Sequence, residues 1–277
     1  YWDEAPNMGD AVNKLLCEKL FNISVLVSNP NECEAAFCGS LLDDFLYKNF
    51  WPVHIKQRKI DEKSMVHIWG AGFIADKWHC ASWKRKLLPE TYFRGVKVHA
   101  VRGALSRKRL EKIVGKSLKD VPLADPGLLV SDLVEGVDRI YDLGIVVHHL
   151  EKNLPIYHVF EKYNNAHFID VEDEPLKCII EISKCKCILS SSLHGLIFAD
   201  SFGIPNARLV ASNLLKGGDY KFEDYYSSYN NSERKCFDLR KNIYIDLQEV
   251  FETYVLDKAE VECKKQLLYK SFPKCFL

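Results

Sequence analysis

The sequence predicts an α/β protein built from two doubly wound domains that face a cleft. Short apolar runs alternate with amphipathic segments along the chain, as expected for parallel sheets covered by helices. A length of 277 residues corresponds to about two domains, and the composition changes near residues 133–142. We therefore expect one domain over 1–138, completed by a C-terminal helix over 246–277, and a second domain over 139–245.

Three apolar segments in the first half are predicted to be strands that end at turns. They are SVLVS, SMVHIWGAG and VKVHAVRG, at residues 24–28, 64–72 and 96–103. Residues 104–115 have helical spacing, and Gly115 is placed to end that helix. Residues 121–133 predict a strand that runs into a loop, because Pro126 and Gly127 break the segment.

The second half shows the same alternation. Its predicted strands cover residues 142–150, 166–171, 185–192 and 207–210. The first of them is an almost unbroken apolar run, which is typical of a strand buried on both faces of a parallel sheet. A helix over 193–203 follows the third strand. Residues 211–242, rich in Tyr, Ser, Asn, Lys and Gly, predict an exposed loop region, and residues 246–269 predict one long amphipathic helix.

Composition and charge argue against several classes of protein. The chain has 38 Lys and Arg and 38 Asp and Glu residues, and this zero net charge gives no reason to expect a nucleic-acid partner. No apolar run approaches the roughly 18 residues of a membrane span, and the opening residues do not resemble a signal peptide. Ten cysteines without CxxC spacing predict free thiols in a reducing compartment. We therefore expect a cytoplasmic protein, with peripheral binding at the inner membrane face left open.

The segment SSSLHGLIFADSFGIP at residues 190–205 is the strongest candidate for a functional site. Three serines end a buried strand, and His194 opens a helix, where N–H and hydroxyl groups can bind an anion. A histidine at this place can also transfer a proton. The other interpretation is a capped helix whose first-turn histidine is solvated. The candidate binding residues in this segment are Ser190, Ser191, Ser192, Leu193 and Gly195.

Two further segments carry candidate ligand-binding residues. In VRGALS, a strand delivers Arg102 to a turn, and an arginine can form paired hydrogen bonds with a carboxylate or phosphate. The alternative role for Arg102 is a surface salt bridge. In APNMGDA, Asp10 can cap a helix that starts at Ala11, or Asn7 and Gly9 can contact a ligand.

Other turns after strands supply weaker candidates. These binding residues are Gly70 and Gly72 in WGAG, Ser106 in VRGALS and Asp125 in LADPGLL. The dinucleotide fingerprint GxGxxG is incomplete, and the nucleotide P-loop is absent. The sequence also lacks GxSxG, HExxH and CxxC, so we expect neither a serine hydrolase nor a metal site.

The segments PNMGDA, VRGALS, LADPGLL and SSSLHGLIFADSFGIP occur in this order between residues 5 and 205. This ordered set resembles the polysaccharide pyruvyltransferase family. The last segment is the most specific part of the resemblance. The opening YWDEAPNMGD looks most like the bacterial exopolysaccharide branch of that family.

The resemblance implies a GT-B-like fold, with two Rossmann-like domains around a cleft. It also implies transfer of the carboxyvinyl unit of phosphoenolpyruvate to a sugar, galactose or another hexose, giving a cyclic pyruvate ketal and phosphate without a further cofactor. The family's arginine and histidine fall on Arg102 and His194. His194 is then the general acid or base, Arg102 holds the donor, and Asp10 is a candidate for a second proton transfer. Whether the saccharide acceptor is carried on a lipid stays open.

Two other functions are compatible with the sequence. A GT-B-like glycosyltransferase that uses a nucleotide sugar would have the same fold. A non-catalytic carbohydrate-binding protein could stack sugars on the tyrosine-rich segment YKFEDYYSSYN at residues 220–230. In an active enzyme, the same segment would help to form the acceptor site.

Overall fold

The computed structural model describes residues 6–48, 65–77 and 88–277. It contains a three-stranded parallel sheet, a five-stranded parallel sheet and a small two-stranded antiparallel sheet. The predicted α/β class with parallel sheets is therefore confirmed. The opening residues YWDEA, which entered the family resemblance, lie outside the described residues.

The first parallel sheet has the order β1-β3-β5. Its strands are β1 (Ala35–Ala36), β3 (Val66–Trp69) and β5 (Val96–Ala100). The antiparallel pair consists of β2 (Leu46–Lys48) and β4 (Glu90–Tyr92). The predicted strand at residues 24–28 is wrong: this segment is irregular, and Leu26 is 88% exposed. Its alternating apolar residues have no sheet face on which to pack, and β1 occupies the edge position of the sheet.

The five-stranded sheet lies in the second half of the chain and has the order β10-β9-β8-β6-β7. Its strands are β6 (Leu143–Val147), β7 (Ala166–Asp170), β8 (Ile188–Ser190), β9 (Asn206–Val210) and β10 (Cys236–Asp238). The first four were predicted from the sequence. Every residue of β6 is buried, as its continuous apolar run indicates. The fifth strand, β10, was missed because it is short and lies in a polar region.

Seven α-helices are present in the described part of the chain. They are α1 (Met8–Leu20), α2 (Ala104–Val114), α3 (Pro175–Ser183), α4 (Leu193–Ser201), α5 (Tyr220–Tyr226), α6 (Leu247–Thr253) and α7 (Lys258–Ser271). Gly115 ends α2 in the left-handed conformation, as predicted. The predicted long helix over 246–269 is instead two helices, because Asp257 caps a new helix, α7, by accepting a hydrogen bond from Ala259 N.

The first helix starts earlier than the sequence predicts. Asn7 is its N-cap residue, and its side chain accepts a hydrogen bond from Gly9 N at 2.9 Å. The cap predicted for Asp10 is therefore wrong, since Asp10 lies in the first turn of α1. This shift leaves the Asp10 carboxylate free for another role.

The region 211–242 is not an exposed loop. It contains α5 and β10, and the side chains of Phe222, Tyr225 and Tyr229 are buried. The hydroxyl of Tyr225 donates to Asp200 Oδ2 at 2.8 Å, and the hydroxyls of Tyr225 and Tyr229 share a hydrogen bond. Because these polar ends are paired inside the protein, the rings can pack in the core and are not available to stack on sugars.

One apolar core connects the two halves of the chain. It includes Met8 and Val12 of α1 together with Val146 of β6 and Leu268 of α7. The indole N–H of Trp69, at the end of β3, donates to Leu268 O at 3.1 Å. The C-terminal helix therefore packs on the first parallel sheet. No helix in the described ranges combines the length and hydropathy needed to cross a bilayer.

The contact between Gly103 and α5 gives a test of this packing. A Cβ atom added at Gly103 would lie 1.6 Å from the backbone oxygen of Asp224. We expect Gly103→Ala to lower the free energy of unfolding, measured in urea, by about 3 kcal/mol, because backbone must move. The control Gly115→Ala adds a Cβ that meets nothing within 4 Å at a positive φ, and should cost about 1 kcal/mol. Equal losses would contradict the described contact.

Candidate functional site

A cavity of about 480 Å³ opens at the carboxyl ends of strands from both parallel sheets. Its walls come from the amino end of α1 and from the segments that follow β1, β3, β6, β8 and β9. The residues after these strands that line it include Gly39 and Ser40, Ile74, His148 and His149, Ser192 to His194, and Lys216. Lys221 of α5 completes the wall.

Five residues predicted to form the site line this cavity. They are Asn7, Asp10, Ser192, Leu193 and His194. The structure therefore brings the PNMGD and SSLHG motifs together, although they lie far apart in the sequence. Both motifs contribute the amino end of a helix, so the positive ends of α1 and α4 are at the same cavity.

Gly9 allows these two helix ends to approach each other. A Cβ atom at this position would lie 1.9 Å from His194 Nδ1. Any side chain at residue 9 would therefore displace the imidazole. The backbone of Gly9 packs against the His194 ring at the cavity wall. The predicted contact of Gly9 with a ligand stays a prediction.

The serines before α4 have different roles. Ser190 is buried, and its hydroxyl accepts a hydrogen bond from Ser192 N at 3.0 Å. Ser191 is also buried, and its hydroxyl accepts from His148 N at 3.0 Å. Both stabilise the turn, and neither lines the cavity. Their predicted role in substrate binding stays a prediction. The side chain of Ser192 makes no capping hydrogen bond with α4 and lines the cavity.

Three glycines predicted to bind a ligand are closely packed against neighbouring residues. At Gly70, which has a φ of 84°, an added Cβ would lie 2.1 Å from Pro126 Cδ. At Gly72 it would lie 2.4 Å from Arg102 Cζ, and at Gly195 it would lie 2.4 Å from Ser190 Oγ. None of the three lines the cavity.

Arg102 lies one layer behind the cavity wall, and its side chain is fully buried. Its Nε donates to Asp224 Oδ2 at 2.9 Å, and its Nη1 donates to Ser40 Oγ at 2.8 Å. Ser106, another predicted binding residue, is also buried and donates through its hydroxyl to Asp224 Oδ2 at 2.7 Å. The alternative of a surface salt bridge is wrong, because the ion pair between Arg102 and Asp224 is buried. Arg102 supports Ser40, which lines the cavity. A direct contact of Arg102 with a ligand stays a prediction.

Lys221 is a cation of the cavity wall that the sequence analysis missed; Lys216 also lines the cavity. Burial, together with the positive charges of Arg102 and Arg208, lowers the pKa of the Lys221 amine to about 8. It forms no ion pair with the residues that the structure describes. The signal was present in the sequence, because Lys221 and Asp224 have the i, i+3 spacing of one helix turn, within a segment interpreted as a loop.

A carboxyl group with a near-neutral pKa lines the same cavity. Burial raises the pKa of Asp10 to about 7. Its Oδ1 would lie 3.2 Å from a Cβ atom at Gly39, so the carboxyl group packs against the turn after β1. A group with this pKa can give or take a proton near neutral pH.

The two histidines after β6 were also missed. Burial and the positive charge of Lys221 lower the pKa of His148 to about 3. Its Nδ1 accepts a hydrogen bond from Leu150 N at 3.3 Å. A pair of histidines directly after a predicted strand is a recognisable signal for a site at the edge of the sheet.

His194 and Asp125 meet behind the cavity. Burial lowers the pKa of His194 to about 3, with the positive charges of Arg102 and Lys221 contributing. Burial raises the pKa of Asp125 to about 6. A ring nitrogen of His194, a carboxylate oxygen of Asp125 and the sulfur of Cys38 all lie within 4.8 Å of one another. Asp125 does not line the cavity, and its predicted contact with a substrate stays a prediction.

The site therefore combines three kinds of group. Lys221 and the amino ends of α1 and α4 can bind an anion. Asp10 can exchange a proton at neutral pH. Neutral His194 can accept a proton, and its ring is held in place by Gly9.

Comparisons with known proteins identify the family. The family model described as polysaccharide pyruvyl transferase matches residues 6–213. Uncharacterized protein L143 of Acanthamoeba polyphaga mimivirus is 27% identical over 285 residues, which covers 97% of this chain and 88% of that protein. Succinoglycan biosynthesis protein ExoV of Rhizobium meliloti (strain 1021) is 26% identical over 130 residues, or 46% of this chain and 39% of that protein. No solved structure matches the chain significantly.

The match to ExoV supports the predicted likeness to the bacterial exopolysaccharide branch. The family model includes the four ordered segments on which the predicted family resemblance was based, and it spans well over half of the sequence. The chain belongs to the polysaccharide pyruvyl transferase family.

Proposed function

We propose that this protein transfers the carboxyvinyl unit of phosphoenolpyruvate to a sugar, forms a pyruvate ketal and releases phosphate. The main support is the combination in one cavity of the Lys221 amine, two helix amino ends and the near-neutral carboxyl of Asp10. Phosphoenolpyruvate carries a phosphate and a carboxylate, and both suit the positive groups. The likeness to ExoV, a succinoglycan biosynthesis protein, supports a saccharide acceptor, which the family resemblance suggests is galactose or another hexose.

The donor binds between Lys221 and the amino end of α4 in this proposal. The hydroxyl of Ser192, which makes no capping bond, adds a donor at the same helix end. Arg102 contributes positive charge from behind the wall, where it already acts on Lys221 and His194. The lowered pKa of Lys221 means that an anion would stabilise its charged form.

The reaction needs no oxidant and no further cofactor. Asp10 donates a proton to the methylene carbon, and a sugar hydroxyl forms a bond to the central carbon. The bond from that carbon to the phosphate oxygen breaks, and a second hydroxyl closes the ketal ring. Of the two hydroxyl protons, one replaces the proton that Asp10 gave to the methyl group, and the other ends on phosphate. Atoms and charge therefore balance. Neutral His194 accepts a hydroxyl proton, as a general base does.

The finer architecture is also a proposal. Two Rossmann-like domains in a GT-B-like arrangement, over 1–138 and 139–245 with the helix near 246–277 returning to the first, would place the cavity in the cleft. A glycosyltransferase that uses a nucleotide sugar would suit the same arrangement, so the identity of the donor separates the two functions.

Phosphate release tests the proposed function. The protein is incubated with phosphoenolpyruvate and a panel of galactosides, mannosides and glucosides. We expect phosphate release that depends on the sugar. Thermal stabilisation by UDP or GDP, with none by phosphoenolpyruvate and no phosphate release, would instead favour the nucleotide-sugar glycosyltransferase.

Replacing Lys221 tests the donor site. Lys221→Met should raise the KM for phosphoenolpyruvate about 10- to 100-fold, because a charged hydrogen-bond donor to the anion is lost. The matched control is Lys241→Met, since the Lys241 side chain is 82% exposed and does not line the cavity. Equal KM values for the two variants would rule out Lys221 as the donor-binding cation.

Replacing Asp10 tests the proton donor. Asp10→Asn should lower kcat about 100- to 10,000-fold while phosphoenolpyruvate still raises the Tm. In the unsubstituted protein, kcat/KM should fall as the pH rises through about 7, because the protonated form of Asp10 is then lost. The exposed Asp120→Asn serves as the control. Near-normal kcat in Asp10→Asn would exclude this role.

A further inference from the structure

Two buried polar atoms behind the cavity lack a hydrogen-bond partner within the described ranges. They are Asp125 Oδ2 and His194 Nε2. Leaving such an atom unpaired costs about 1–3 kcal/mol, so nearly all are paired in folded proteins. A carboxylate oxygen of Asp125 and a ring nitrogen of His194 lie within 4.8 Å of each other. Two neighbouring groups of this kind indicate either a hydrogen bond between them or a shared metal ion.

Three observations favour the hydrogen bond over a metal ion. Cys38, the third residue of the cluster, already has a partner, because its sulfur lies 3.1 Å from Asn13 Oδ1. Burial raises the pKa of the Cys38 thiol well above its usual value, whereas a metal ligand must be a thiolate. The positive charge of Arg102 acts on both Asp125 and His194, which opposes a divalent cation there.

Asp125 and His194 are each held in place by a contact with another residue. Asp125 caps the 3₁₀ helix Pro126–Leu133, and its Oδ1 accepts a hydrogen bond from Gly127 N at 2.9 Å. This bond leaves Oδ2 as the free oxygen. On the other side, Gly9 packs against Nδ1 of the imidazole. A carboxylate oxygen of Asp125 and a ring nitrogen of His194 already lie within 4.8 Å of each other, and a hydrogen bond requires the two groups to come closer.

We propose that Asp125 is the positioning residue of His194: it accepts a hydrogen bond from Nε2–H and leaves Nδ1 unprotonated. Nδ1, on the side of Gly9 and the α1 amino end, is then the atom that takes a proton from the acceptor hydroxyl and passes it to the departing phosphate. This inference rests on the proposed function. It explains how a histidine near Arg102 and Lys221 can become charged, because the carboxylate of Asp125 stabilises the imidazolium.

The tautomer of His194 tests the proposal directly. Long-range ¹H–¹⁵N NMR spectra are recorded on protein with ¹⁵N-labelled histidine. The signals of the His194 ring are those that disappear in the His194→Gln variant. We expect the unsubstituted protein to show a protonated Nε2 and an unprotonated Nδ1. In Asp125→Asn, the side-chain oxygen can still cap the helix, so the amide NH₂ faces His194. The ring should then change to the Nδ1–H tautomer.

Kinetic measurements distinguish a positioning role of Asp125 from a purely structural role. Asp125→Asn should lower kcat about 100-fold or more, since the tautomer is wrong, with little change in the KM for phosphoenolpyruvate. Cys38→Ser should leave both the tautomer and kcat nearly unchanged. An Nδ1–H tautomer in the unsubstituted protein would overturn the proposal.

Metal content decides between the two explanations of the unpaired atoms. We would measure zinc in the purified protein and after titration with zinc chloride. One equivalent of zinc that is lost in Cys38→Ser would indicate a metal site in place of the hydrogen bond. The absence of phosphate release with every sugar would contradict the proposed function, but the tautomer would still be measurable. The two failures are therefore distinguishable.

Discussion

The buried ion pair between Arg102 and Asp224 is the contact on which the cavity depends. Asp224 accepts hydrogen bonds from Arg102 Nε, from Ser106 N at 2.7 Å and from the Ser106 hydroxyl. These bonds attach α5 to the amino end of α2 and thereby place Lys221 in the cavity wall. Removing one partner of such a pair leaves a buried charge and typically costs about 3–5 kcal/mol.

The ion pair also explains the electrostatics of the cavity. Arg102 is balanced by Asp224, but its positive charge still acts on Lys221 and His194. The pKa of Lys221 is lowered and that of Asp10 is raised, so both groups are poorly solvated in their charged forms. A bound anion would stabilise the charged form of the Lys221 amine. Perturbed groups of this kind, gathered in one cavity, are typical of functional sites.

Local patterns were sufficient to predict much of the fold and part of the site. The apolar run of β6 and the glycine at the end of α2 each depend on neighbouring residues, and both are present in the structure. The SSLHG turn was also located correctly, because strand, turn and helix follow one another in the sequence. The contact of this turn with the α1 amino end at Gly9 was not predicted, because the two segments lie far apart in the sequence.

The features that were missed depend on partners distant in the sequence. Helix α5 was interpreted as a loop because its tyrosines are polar, and Asp200, which pairs with Tyr225, lies on another helix. For the same reason, nothing in the sequence near Arg102 indicates that its side chain forms a buried ion pair with Asp224. Asp125 and His194 each lie in a motif that the sequence analysis singled out, but neither motif indicates that the two turns approach each other.

Solvent deuterium incorporation tests the central claim most directly. The reaction is run in D₂O with phosphoenolpyruvate and the active sugar, and the product is examined by ¹H NMR. Proton donation from Asp10 to the methylene carbon predicts a ketal methyl group that carries one deuterium and no remaining vinyl protons. A product that keeps two vinyl protons would mean that the carboxyvinyl group is transferred without protonation, and would contradict this account.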